Sequence, residues 1–106
     1  MGGGLNRYVG YFDKDVKPFR DFIIKYQDRI LWGADIVLDG EPYRGQKKNT
    51  AWVFKRMLTD FMIFQGRSWR EPLHPENTMR HRGLDLPEDV LRKIYWENPK
   101  RILGLP

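Results

Sequence analysis

The chain contains no cysteine in its 106 residues. That excludes disulfides and thiolate metal sites, and it fits a reducing compartment, the cytoplasm. No uninterrupted apolar run approaches the ~20 residues needed to cross a bilayer. The opening Met1-Gly2-Gly3-Gly4-Leu5-Asn6 lacks the basic-then-apolar order of a secretory signal. Asn6 also stands where a myristoylation motif takes Ser or Thr. Histidine is scarce. Only His74 and His81 occur, seven residues apart, a spacing that suits neither one helix face nor two neighbouring strands as a metal pair. Both read as exposed loop residues. No internal repeat is visible.

What remains is a globular composition, 41% hydrophobic and 14% aromatic, which argues against disorder. The length bounds a single domain spanning residues 1–106. The net charge of +5 arises from 19 basic and 14 acidic residues mostly interspersed along the chain. The local excess is Arg67, Arg70, Arg80 and Arg82, all in one polar stretch. A solvated surface explains such a distribution better than a nucleic-acid footprint.

Periodicity orders the elements. Residues 1–14 read as a short strand remnant or a loop. Asp15 can cap a helix that tolerates Pro18 in its first turn. Val16, Phe19, Phe22, Ile23 and Tyr26 then follow at helical spacing up to Asp28. Ile30 to Leu38 is the one strong strand expected, apolar on both faces as a strand covered on both sides should be. Asp39-Gly40 makes a turn. Asn49 or Thr50 caps a second long helix with a stripe of Phe54, Met57, Leu58, Phe61 and Phe64, stopped by Gly66. Residues 67–82 read as a basic loop. A third helix spans about 87–97, with Val90, Leu91, Ile94 and Tyr95 as its buried stripe. Asn98-Pro99 restarts a helical turn that Gly104 ends.

A lone strand with two apolar faces leaves backbone donors and acceptors unpaired along both edges. The chain is therefore expected to be incomplete or to assemble with something, self-association through that strand included. Its run Asp28-Arg29-Ile30-Leu31-Trp32-Gly33-Ala34-Asp35 ends in a carboxylate, which apolar burial does not require. Alternation along the strand sets Leu31, Gly33 and Asp35 on one face, and Ile30, Trp32 and Ala34 on the other.

The stretch Phe22 to Asp35, and the stretch Gly83 to Leu105 with its Tyr95-Trp96-Glu97-Asn98, resemble the penultimate helix, final strand and terminal helix of amidohydrolase-related, metal-dependent TIM barrels. The aminocarboxymuconate-semialdehyde decarboxylase-like branch is included in that group. The resemblance covers roughly residues 16–38 and 83–105, and leaves 39–82 unaligned. It implies an α/β fold class: the C-terminal fragment of a (β/α)8 barrel, mostly helical, with one strong strand at about 30–38. It also implies a metal-dependent hydrolase acting on a C–N or ester-type bond, or a decarboxylase of an unsaturated or aromatic acid.

On that resemblance Asp35 is both the catalytic and the metal-binding position, handling the proton of the attacking water. Relatives commonly carry Thr or Ser just before it, where this chain has Ala34. The family's His-x-His pair is missing, as are histidines from its middle strands. A divalent cation, zinc or similar, therefore belongs to the complete barrel and not to this chain alone, which is expected to be inactive. Without the resemblance, Asp35 reads as a strand-end acid capping a turn.

His74, Arg67 and Arg70 are candidate contacts for a small-molecule substrate, because a guanidinium pairs bidentately with a carboxylate. Arg67, Arg70, Arg80 and Arg82, with the Trp69 indole stacking a base, could alternatively make a small basic module that contacts nucleic acid through residues 67–82. Solvation ranks first for these arginines, substrate contact second and nucleic acid third. Trp32, Trp52 and Trp96 read as packing residues, and Asp85, Glu88 and Asp89 as helix-start acids.

Overall fold

The computed structural model describes residues 9–34, 36, 45 and 47–106. Helix α1 spans Val9–Lys14 and α2 spans Lys17–Lys25. Helix α3 spans Thr50–Gln65. Two short strands, β1 (Ser68–Trp69) and β2 (His81–Arg82), form an antiparallel ribbon with Ser68 opposite Arg82 and Trp69 opposite His81. The chain then runs into a terminal helix made of α4 (Glu88–Arg92), a π-helical turn (Lys93–Glu97) and α5 (Asn98–Ile102). The protein is thus mostly helical with a small antiparallel sheet. Among the described residues no helix is long and apolar enough to cross a membrane.

Three expectations change. Residues 9–14 are helical, where a strand remnant or loop was expected. Residues 67–82 hold a ribbon, because Trp69 can leave water by pairing across to His81. Over 30–34 no strand ladder forms. Gly33 makes an isolated bridge, and Asp35, Val37 and Leu38 lie outside the described residues. The segment pairs instead with the terminal helix.

The reason lies in Pro99. Proline has no N–H to offer a helical carbonyl, and here the turn before it widens to π geometry, with the Asn98 N–H bonded to Lys93 O. The Ile94 carbonyl is left without a helical donor and accepts the Trp32 N–H at 3.2 Å. Beside it, the buried Asn98 amide donates to Ile30 O at 2.9 Å and also to Gln27 O. Arg101 donates to Asp28 O and to Asn98 Oδ1. Lys93 Nζ sits 2.9 Å from Asp28 Oδ1 and holds that carboxyl below its ordinary range. Within the 30–34 segment the Trp32 N–H and the Ile30 carbonyl thus find their partners on a helix.

Helix α3 begins as expected, with Asn49 Oδ1 accepting from Trp52 N at 3.0 Å. Gly66 ends it in an extended conformation, φ −86°, so a left-handed cap is not its role. A Cβ on Gly66 would stand 2.9 Å from Met62 O, and one on Gly83 only 1.9 Å from Gly66 O. Gly66 needs hydrogen because the chain turns tightly between Met62 O and Ser68 O, and Gly83 because the 83–86 segment lies directly on the helix end. There it donates Leu84 N to Ile63 O (2.7 Å), Asp85 N to Gly66 O (3.1 Å) and Leu86 N to Phe64 O (3.0 Å). These bonds satisfy carbonyls that a helix C-terminus leaves unpaired. Asp85 takes φ 45° in this seam, a left-handed conformation that Asp tolerates better than most residues.

Ile63, Phe64, Leu84 and Ile94 are completely buried along that seam, and each contributes on the order of 1.5–3 kcal/mol through burial. Val90 joins them, so the expected stripe of the terminal helix is the observed one. The helix ends with Gly104 at φ +66° and Leu105 N bonded to Lys100 O, a Schellman-type close.

Replacing Asn98 with Ala leaves Ile30 O and Gln27 O unpaired. The expected loss is about 1–3 kcal/mol per buried acceptor, measured as a lower urea midpoint at unchanged slope.

Burial also holds the Tyr95 phenol above its ordinary value of 10.0, while the bond donated by Gln65 pulls the other way. The folded chain therefore keeps this proton after an unfolded one would release it. The associated stability is complete below pH 10 and falls as pH rises through the Tyr95 titration. An absorbance titration of the phenols should show a late component that Tyr95→Phe removes.

Candidate functional site

The described residues closest in sequence to Asp35 are Ala34 and Ile36, and the approach to them is well defined. Trp32 packs its indole on Phe61 (5.0 Å between ring centroids), with Tyr95 edge-on to both rings. Its Nε1 donates to Asp60 Oδ2 at 3.1 Å. Asp60 is completely buried, and its other oxygen accepts from Arg56 Nη1 at 2.9 Å. Ile30 is buried and Trp32 half-buried against the helices, whereas Gly33 is exposed, with nothing within 4 Å of where a Cβ would lie.

Arg56 and Asp60 are the residues that sequence reasoning missed. The stripe Phe54, Met57, Leu58, Phe61, Phe64 was expected to face the core. Yet Phe54 is 66% exposed, and the buried face carries Trp52, Arg56, Thr59, Asp60, Ile63 and Phe64. The charged pair tilts the helix because each member neutralises the other at i, i+4, and Trp32 supplies the further donor that a buried carboxylate needs. A signal was available: an Arg and an Asp four apart, flanked by Trp52 and Ile63 at the same helical spacing.

The remaining candidates fall apart into separate places. Arg67 is exposed and pairs through Nε with Asp85 Oδ2 at 2.8 Å. Asp85 is therefore an ion-pair partner on the seam, while Glu88 and Asp89 do begin a helix. Arg70 is exposed. His74 is half-buried with Nδ1 3.3 Å from Glu76 Oε1, and its Nε2 is buried with no hydrogen-bond partner among the described residues.

His81 is not the exposed loop residue expected. Its side chain is 13% exposed, its Nδ1 lies 2.8 Å from Asp13 Oδ2, and its ring stacks on Trp69 at 4.8 Å. Asp13 Oδ1 accepts the Arg82 N–H at 2.7 Å, so one carboxylate fastens α1 to the ribbon. Trp69 is buried at 4% exposure and presents no ring face for a base. Trp96, expected in packing, is exposed. Among the described residues no three His, Cys, Asp or Glu side chains are grouped to hold a cation.

Deleting the Asp60 carboxylate, as in Asp60→Ala, removes the buried acceptor shared by Arg56 and the Trp32 indole N–H. Breaking a buried pair from one side costs about 3–5 kcal/mol, so the variant should unfold at much lower urea and its tryptophan emission should shift red. An Asp60→Ala change that leaves the unfolding midpoint in place would show that the pair carries little of the fold.

No family model matches the chain, and neither a curated protein nor a solved structure is found similar to it.

Proposed function

We propose that the chain is the C-terminal part of a cytoplasmic, metal-dependent enzyme related to the amidohydrolases, with residues 1–106 forming the last portion of its (β/α)8 barrel. The observation that carries this reading is the contact between two distant stretches. The blocks bearing the resemblance, 16–38 and 83–105, are separated by residues that bear none, yet they lie together through Trp32 N on Ile94 O and Asn98 on Ile30 O. In a barrel the final strand and the terminal helix also lie side by side, though by side-chain packing and not through the strand's backbone bonds.

Two further features support it. Ile30 is buried and Trp32 partly buried against the helices, while Gly33 is exposed. Phe22 on α2, and Trp96, Ile102 and Leu103 on the terminal helix, are large apolar side chains at least half exposed, which is what the outer layer of a larger core would present.

In this reading Asp35 is the acid at the C-terminal end of the last barrel strand. It binds the cation or takes the proton of the attacking water, in hydrolysis of a C–N or ester-type bond or in decarboxylation of an unsaturated or aromatic acid. The cation, zinc or similar, supplies a water made acidic enough to attack at neutral pH. The described residues do not by themselves fit such an ion, since His74 and His81 are engaged by Glu76 and Asp13. Its remaining ligands belong to other polypeptide. Arg67, Arg70 and His74 are the candidate contacts for a small-molecule substrate. The nucleic-acid alternative loses its stacking residue, because Trp69 is buried against His81.

The purified 106-residue chain should show no metal-dependent turnover of ester or amide substrates with zinc, manganese or cobalt added. Turnover by this chain alone that Asp35→Asn abolishes would overturn its assignment as a partial barrel. In the complementary test, the DNA immediately upstream should continue in frame and encode a His-x-His pair.

A further inference from the structure

The ribbon register places arginines together in a way the sequence does not reveal. Ser68 faces Arg82 and Trp69 faces His81, and Arg70 and Arg80 are the residues immediately beyond that last pair. Side chains alternate between the two faces of a strand. Trp69 and His81 occupy the inner face, toward Asp13 of α1. Ser68, Arg70, Arg80 and Arg82 therefore share the outer face, and all four are exposed. Arg80 Nη1 donates to Ser68 Oγ at 3.1 Å, which fixes its guanidinium over that face.

The charges on this face are not balanced locally. Side chains directly opposite on an antiparallel ribbon have Cβ atoms about 5 Å apart, and like charges in that position repel. Among the described residues, the nearby acids are engaged elsewhere. Asp13 holds His81 and the Arg82 N–H. Asp85 pairs with Arg67, Glu71 accepts from Leu73 N and Glu76 sits beside His74. Arg82 reaches the carbonyl of Lys14, not an acid. Three exposed arginines thus lie on one short ribbon surface, and the carboxylates just named face other ways.

We infer that the outer face of the β1–β2 ribbon binds a compact, multiply charged oxyanion, the chemistry shared by phosphate esters and polycarboxylates. Guanidinium groups pair with such oxygens in a planar, bidentate fashion. An oxyanion set between Arg70 and Arg80, with Arg82 two residues along from Arg80, would turn their mutual repulsion into attraction. Arg67 is outside the set because Asp85 already holds it. The site uses only ribbon residues and stands whether or not the chain belongs to a barrel.

The test is a titration of the whole chain with inorganic phosphate and, separately, with citrate, at constant ionic strength set by sodium chloride. Binding is read from the guanidinium Nε–Hε signals by NMR and from calorimetry. Saturable binding of either anion, shifting the Arg70, Arg80 and Arg82 signals, is expected. The double variant Arg70→Gln/Arg80→Gln should weaken it about tenfold or more, and Arg92→Gln in α4 should leave it unchanged. Which anion binds more tightly separates a phosphate ester from a polycarboxylate as the natural ligand.

Both variants replace exposed side chains, and an unchanged circular dichroism melt would show that the fold survives. Three results would overturn the assignment. These are binding no stronger than that of chloride, equal binding in the double variant, or binding of a single-stranded oligonucleotide with steep salt dependence and none of phosphate or citrate.

Discussion

The rest of the fold depends on one seam, where residues 83–86 lie across the C-terminal end of α3. Four backbone bonds at 2.7–3.1 Å, from Gly83, Leu84, Asp85 and Leu86, tie the segment to Arg67, Ile63, Gly66 and Phe64. They do two things together. Carbonyls that a helix end leaves open are satisfied, and Leu84 and Leu86 are driven into the core beside Phe64, Val90 and Ile94. Arg20 of α2 reaches the same place, donating to Leu84 O at 3.1 Å and to Asp85 O. Three helices and the ribbon thus share one junction, and a side chain larger than hydrogen at Gly83 would force it open.

A second junction is polar and holds the 27–34 segment between α3 and the terminal helix. The Asn98 amide, the freed Ile94 carbonyl and the Asp60 carboxylate each take one part of it. Apolar burial alone would not fix this segment in register, because an apolar contact is satisfied by many orientations. The hydrogen bonds to Trp32, through both its N–H and its indole, leave one. A buried ion pair is weak support for stability as such, since desolvation offsets much of the attraction. Its contribution here is to set which face of α3 turns inward.

Charge is distributed with a similar division of labour. The acids near the ribbon face inward or along the seam and are engaged by His81, Arg67 or backbone N–H groups. Arg70, Arg80 and Arg82 are exposed. The ribbon brings these three onto one short stretch of surface.

The helices of residues 17–25, 50–65 and 88–102 were legible in the chain itself, because 3.6-residue periodicity, the Asn49 cap and the Gly104 stop act within a few residues of one another. The apolar stripe of the terminal helix was legible for the same reason. The resemblance that singles out Asp35 is likewise a property of local residues.

What only the tertiary structure decided involves partners far along the chain. The Trp32 N–H of the 30–34 segment pairs with a helix because Pro99, far along the chain, withholds a donor. The buried face of α3 includes Arg56 and Asp60 because Trp32 is there to donate. The ribbon exists because Trp69 and His81, twelve residues apart, meet beneath Asp13. Periodicity records which residues share a face. It does not record which polar groups find each other across long loops, and here those pairings settle the register, the buried face and the place where arginines gather.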